Sequence, residues 1–313
     1  MPRSNGSVAE GGQRVDVRKT YKLYLGGAFG RSESGRSYPV TDARGRFLAN
    51  ASMASRKDAR DAVVAARSAF AGWSGATAYN RGQVLYRVAE VMEGRREQFV
   101  DEVAAGEGLT RSRAGTAVEA AIDRWVWYAG WTDKIAQVAG GANPVAGPYF
   151  NLSVPEPTGV VAVLAPQASS LLGLVSVVAP VLASGNTCVV LAAQHRPLPA
   201  VTLSEVLATS DLPGGVLNLL TGVTAEVAPW LASHEDVNGL DLTGAAGAAG
   251  AAGAAELSWG ELEAAAATTL TRVLRPGGAG AAAEEPDWIA VPDGPRRILA
   301  FCETKTVWHP KGR

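Results

Sequence analysis

Cysteine is nearly absent from this chain, with only Cys188 and Cys302 in 313 residues, and the two stand in unlike contexts. That excludes a disulfide framework and a thiolate metal cage, and it fits a reducing compartment, so a cytoplasmic location is expected. An excess of charge of either sign is missing too. The 29 Lys and Arg balance 30 Asp and Glu to a net charge of -1, which leaves no field to attract nucleic acid or an anionic membrane, and neither partner is expected. Histidine occurs at positions 195, 234 and 309 without metal-ligand spacing, so no metal is expected. The longest apolar run, residues 171–183, is interrupted by Gly173 and Pro180, and the polar start Met1-Pro-Arg-Ser has no apolar core of a signal peptide.

What is present is the composition of a packed globular protein, 47% hydrophobic, long enough for two domains or one large α/β unit. Residues 1–19, rich in Gly, Ser and Arg without periodicity, read as a disordered leader. A short strand is expected at Tyr21-Lys22-Leu23-Tyr24-Leu25, turned by Gly26-Gly27. Ser55, with Asp58 three residues on, reads as a capping box opening a helix over residues 56–72, whose apolar residues Ala62, Val63, Ala66 and Phe70 recur at helical spacing. Further helices are expected over 78–94, 98–106 and 116–138. The last carries Trp125, Trp127, Tyr128 and Trp131, read as core packing, with a subunit interface as the alternative.

From residue 144 the period changes. Residues 144–157 alternate apolar and polar between prolines, as a hairpin arm would. Gly159-Val160-Val161-Ala162-Val163-Leu164 then has the unbroken apolarity of a strand buried on both faces. Further buried strands at Cys188-Val189-Val190-Leu191, Val216-Leu217-Asn218-Leu219-Leu220 and Gly239-Leu240-Asp241-Leu242 alternate with helices. The fold class is therefore α/β, a doubly wound parallel sheet with an N-terminal helical layer. The expected organisation is a helical part over 20–143, the arm over 144–157, the sheet domain over 158–275, a Gly/Ala/Pro-rich linker over 276–295 and a C-terminal strand over 296–313.

Several blocks resemble the aldehyde dehydrogenase superfamily in the family's order: Tyr24-Leu25-Gly26-Gly27, Tyr128-Ala129-Gly130-Trp131-Thr132-Asp133-Lys134, Glu156-Pro157-Thr158-Gly159-Val160-Val161, Ser184-Gly185-Asn186-Thr187, Leu212-Pro213-Gly214-Gly215 and Leu242-Thr243-Gly244. The resemblance implies an NAD(P)-binding Rossmann-like domain, a catalytic domain and an oligomerisation arm. It also marks what is different here. Where the family has an asparagine that donates to the oxyanion, this chain has Ala168 in Pro166-Gln167-Ala168-Ser169-Ser170. Where a lysine bonds the cofactor ribose, it has Ala192. The turn Thr243-Gly244 that faces the cofactor pyrophosphate is kept as a vestige, but the serine after it is Ala245. The Gly/Ala repeat that follows, residues 246–253, is not G-x-G-x-x-G and reads as a degenerated loop. Arg275 stands where the family's general-base glutamate would, and a guanidinium takes no proton from water.

The block Gly-Gln-x-Cys, which carries the family's nucleophile, has no counterpart. Cys302 sits beside Glu303 with nothing to lower its pKa, Cys188 lies in a buried strand, and no catalytic residue is assigned. The tail, β-rich through Val307-Trp308, resembles the C-terminal strand that family members lay against a partner's arm. The arm residues Tyr149, Phe150 and Leu152 and the tail residues Ile298, Leu299, Phe301, Val307 and Trp308 are therefore the expected oligomerisation residues. The leading expectation is a non-catalytic subunit assembling with itself or with a full-length aldehyde dehydrogenase, with no cofactor expected. The alternatives are a subunit that still binds NAD within an aldehyde-oxidising complex and a scaffold that docks another enzyme of the pathway.

Overall fold

The computed structural model describes residues 18–247, 258–277, 285–292 and 294–311. Residues 1–17 of the expected leader, most of the Gly/Ala repeat and part of the expected linker lie outside them. The chain opens with β1 (Thr20–Tyr21), β2 (Leu23–Leu25) and β3 (Ala28–Gly30), then β4 (Ser37–Thr41) and β5 (Phe47–Ser52). Helices α1 (Arg56–Gly75), α2 (Ala78–Gly94), α3 (Arg96–Glu107), α4 (Arg111–Trp131) and α5 (Ile135–Ala139) follow, then β6 (Gly141–Ala142) and β7 (Tyr149–Pro157). The alternating half is β8 (Val160–Leu164), α6 (Leu172–Ala183), β9 (Thr187–Leu191), α7 (Leu198–Leu207), β10 (Leu217–Leu220), α8 (Thr224–Ala232), β11 (Gly239–Asp241), a 3₁₀ turn (Thr243–Gly247), α9 (Trp259–Ala267) and β12 (Arg272–Leu274). The tail holds α10 (Arg296–Leu299) and β13 (Cys302–Pro310).

Ser55 caps α1 as its spacing requires: its hydroxyl accepts from the Asp58 amide while the Asp58 carboxylate accepts from the Ser55 amide at 2.8 Å. Seven strands form the main sheet in the order β12-β11-β8-β9-β10-β2-β3, parallel from β12 to β10. Its last two strands come from the N-terminal hairpin. Gly26 and Gly27 both take positive φ there, as a two-residue turn requires, and β2 joins β10 antiparallel through Leu219 and Tyr24. The sheet domain thus recruits residues that the sequence assigned to the helical part.

Side-chain alternation along the strands divides the core in two. Val161, Val163, Cys188 and Val190 face α2, α4, α6 and α7, whereas Val160, Ala162, Leu164, Val189 and Leu191 face α1, α8 and α9. Trp125 and Tyr128 belong to the first cluster, and Trp127 and Trp131 pack against it.

The tail departs most from expectation. Instead of one strand from residue 296, the chain turns through α10, and Ile298 and Phe301 enter the core on the α6 side, with Leu299 packed against it. Phe301 fits because Gly239 leaves room: a Cβ on Gly239 would lie 2.7 Å from the Phe301 ring. Asn186 fixes the same corner, accepting from the Gly159 amide at 2.7 Å and donating to the Phe301 carbonyl at 2.8 Å. Of the expected assembly residues, Ile298 and Phe301 are thus buried within this chain's own core and Leu299 packs against it, because the register of β13 begins only at Cys302.

β13 runs antiparallel to β7 of its own chain, from Cys302 opposite Pro157 to Pro310 opposite Tyr149. The strand expected to lie on a partner's arm lies on this chain's arm. β6 pairs the other side of β7, so the three-stranded sheet has the order β13-β7-β6 with β13 at an edge.

Candidate functional site

In an open α/β sheet, ligands bind beyond the carboxyl ends of the strands, where the strand order reverses. Here the order reverses around β8, which lies between β9 and β11, and the loop of residues 165–171 and the turn after β11 face each other there. Three successive amides in that loop point at carboxylates of the chain itself. Ala168 N donates to Glu285 Oε1 at 2.7 Å, Ser169 N to Glu285 Oε2 at 3.3 Å, and Ser170 N to Glu107 Oε1 at 2.7 Å. Ser170 Oγ adds a second bond to Glu107 at 2.7 Å, and Trp288 Nε1 holds Glu285 Oε2 at 3.2 Å. Such a run of amides is an anion-binding concavity, and its anions are already supplied. Burial pushes the Glu107 carboxyl above its usual range; the Ser170 bonds work against that and Glu285 adds to it.

The crevice over β8 and β9 is bridged by a pair of amides. Gln167 Oε1 accepts from the Gln194 amide at 2.9 Å, Gln194 Oε1 accepts from Thr224 N at 3.0 Å, and Gln167 Nε2 donates to Ala165 O at 2.7 Å. Ala192 is fully buried beneath them.

Thr243 is likewise occupied. Its amide donates to Asp241 Oδ1 at 2.9 Å, its hydroxyl donates to the same oxygen, and Arg297 Nη2 donates to its Oγ1 at 3.0 Å. Gly244 lies against the carbonyls of Leu164 and Ala165, so close that a Cβ would overlap them. Both residues expected to face a cofactor are used for packing the turn onto β8. Ala168, Ala192 and Ala245 offer no side-chain donor to a ribose or pyrophosphate.

Arg275, at the end of β12, pairs with Glu263 at 2.7 Å. Cys302 lies at the amino end of the sheet, beside Pro157, and its thiol donates to Ile298 O at 3.4 Å. Burial pushes that thiol up to about 11, against the pull of Arg272 and Arg81, which favours the protonated thiol at neutral pH. Cys188, fully buried, is raised well above its usual value by burial. The expected assembly residues Tyr149, Phe150, Val307 and Trp308 are exposed and Leu152 is half-buried. Strand alternation puts Tyr149 and Trp308 on one face, their rings 5.8 Å apart, and Phe150, Leu152 and Val307 on the other.

Sequence reading missed Glu107, Glu285, Arg124 and Arg297. Glu285 sits in what reads as linker, and only Arg124 carries a signal: it falls at helical spacing with Ala121 and Tyr128 on the buried stripe of α4. Arg124 Nη2 donates to the carbonyls of Trp288, at 2.8 Å, and Ala290, at 3.0 Å, so the described part of the expected linker is docked and Trp288 is buried. Among the described residues no helix is long and apolar enough to cross a membrane.

The model of the aldehyde dehydrogenase family matches residues 29–256. Mouse cytosolic 10-formyltetrahydrofolate dehydrogenase is 33% identical over 241 residues, which are 74% of this chain and 26% of that protein. Aldehyde dehydrogenase family 2 member B4 of Arabidopsis thaliana is 35% identical over 235 residues, 74% of this chain and 43% of that protein. Among solved structures, HpcC of Thermus thermophilus superposes with a TM-score of 0.74 at 28% identity, covering 82% of this chain and 47% of that one. The NAD+ complex of an aldehyde dehydrogenase from Bacillus cereus gives 0.74 at 26%, covering 82% and 50%. This chain thus spans between a quarter and a half of the length of these relatives. With its doubly wound sheet and its match over most of its length, the chain belongs to the aldehyde dehydrogenase family.

Proposed function

We propose that this chain is a non-catalytic subunit of the aldehyde dehydrogenase type, which assembles with a second copy or with a full-length family member through the sheet of β6, β7 and β13. The observation that carries the loss of catalysis is the state of the loop after β8. Its amides are bonded to Glu285 and Glu107, so a developing oxyanion would find no free donor there. The protonated Cys302 thiol and the Arg275–Glu263 pair point the same way. Assembly is supported by β13, a nine-residue edge strand whose outer main-chain groups have no strand partner among the described residues, and by the exposed Phe150, Val307 and Trp308 beside it. Native mass spectrometry of the purified chain, alone and mixed with a full-length homologue from the same cell, tests assembly. An aldehyde oxidation assay with NAD tests the rest. A monomer in both samples removes the assembly reading, and enzyme-like turnover removes the non-catalytic one.

A second reading, NAD held without turnover, has in its favour the likeness to the NAD+ complex of the Bacillus cereus enzyme. Against it stand Ala192 and the bridge between Gln167 and Gln194. Calorimetry with millimolar NAD separates the two, since heat of binding with no turnover supports only the second.

A further inference from the structure

A cavity of about 710 Å³ opens between α4, the end of β12 and residues 286–292 and 294–297. Volumes of this order suit small organic ligands. Its described walls carry four guanidinium groups, those of Arg124, Arg275, Arg296 and Arg297, against the single carboxylate of Asp287. Two are paired elsewhere, Arg275 with Glu263 and Arg297 with Asp241. Arg296 is exposed.

Arg124 is the unusual one. It is 6% exposed, and among the described residues its hydrogen bonds go to neutral acceptors: Ser176 Oγ at 2.7 Å and the carbonyls of Trp288 and Ala290. A buried charge without a counter-charge is strongly unfavourable, and among the described residues no carboxylate supplies one to this guanidinium at the cavity wall. Arg297 aggravates the imbalance as a second guanidinium nearby, and its Nε is buried without a hydrogen bond among the described residues. Burial holds the Arg124 guanidinium below its usual range, but an arginine remains charged. Trp288, Leu274 and Val291 line the same space with apolar surface.

We propose that this cavity binds an organic anion, its carboxylate or phosphate head beside Arg124 and Arg297 and its apolar body against Trp288 and Leu274. An anion there supplies a counter-charge that no described carboxylate gives Arg124; the Nη2 hydrogens of Arg124 and Arg297 are already donated within the chain, so the head group is met by charge rather than by a bidentate fork. The cavity shares Trp288 with the cap on the amides of residues 168 and 169, since its indole donates to Glu285.

The full-length chain is tested by thermal denaturation and calorimetry against phenylacetate, phenyl phosphate and the neutral 2-phenylethanol at millimolar concentration. At least one anion is expected to raise the melting temperature by about 2–4 °C while the neutral compound does not, and the better anion identifies the head group. Arg124→Met should abolish the shift. Should that variant not fold, the exposed Arg296→Glu should weaken the better anion by about tenfold, equivalent to about 1.4 kcal/mol. No shift from either anion, an equal shift from 2-phenylethanol, or wild-type binding by Arg296→Glu overturns the proposal.

Discussion

Arg297 Nη2 donates to Asp241 Oδ2 at 2.8 Å and so fastens the last helix to the end of β11 across 56 residues of sequence. Asp241 is fully buried, and its other oxygen is satisfied by Thr243. Removing one partner of a buried pair strands the other charge and costs about 3–5 kcal/mol; Arg297 is a quarter exposed, so the lower end applies. Arg297→Met is expected to lower the urea midpoint by an amount equivalent to about 3 kcal/mol. Adding Asp241→Leu should recover part of the loss, since the charge left unpaired is then gone too. A single variant as stable as the wild type would contradict the role given to this pair.

Phe301 makes the tail part of the core rather than an appendage. Its ring is 1% exposed and fills the space left by Gly239. Phe301→Ala should cost about 3–5 kcal/mol, as other buried aromatic truncations do, while Trp308→Ala on the exposed strand should stay within about 0.5 kcal/mol. Comparable melting temperatures for the two variants would mean that the tail is not anchored at Phe301.

How far this could be foreseen depends on the range of the interaction. The strands from Val160 to Asp241 declare themselves through unbroken apolarity, and the cap of α1 through Ser55 and Asp58, because both signals are local. The destination of the tail is not local. Ile298 and Phe301 read as strand, since apolar residues two or three apart suit either a strand or a helix followed by a turn, and only Gly239 and Asn186, far back in sequence, decide. The same holds at the loop of residues 168–170. The alanine at 168 is legible as a missing donor, whereas the carboxylate that takes its amide comes from Glu285, 117 residues on.

Gly244 separates a packing role from a ligand role. A methyl group at this position would overlap the carbonyls of Leu164 and Ala165, which are backbone and cannot move aside. Gly244→Ala is therefore expected to lower the melting temperature by several degrees without any ligand present, a loss on the order of 1–3 kcal/mol for overpacking. Unchanged stability would return the residue to a vestigial cofactor role.

Assembly through the β13 edge has a direct signature. Val307→Lys and Trp308→Lys place charges among the exposed side chains of that strand and should shift the native mass towards monomer, while thermal stability measured at low concentration changes little. An unaltered oligomer mass would move the interface elsewhere.

Glu107 gives the pH dependence a sign. Its carboxyl is raised chiefly by burial, so the folded chain holds its proton to higher pH than the unfolded chain does. Stability linked to this group is full below about pH 4 and is lost as pH rises through the folded value. Burial raises Glu102 in the same direction. Glu107→Gln keeps an oxygen to accept from the Ser170 amide and hydroxyl but cannot ionise, so the variant should gain stability relative to the wild type between about pH 5 and about pH 8, roughly the limits of the glutamate and neutral ranges. Urea midpoints at the two pH values measure the difference. If the variant instead loses ground as pH rises, the ionised Glu107 is the form that the Ser170 amide holds, and bonding rather than burial governs the carboxyl.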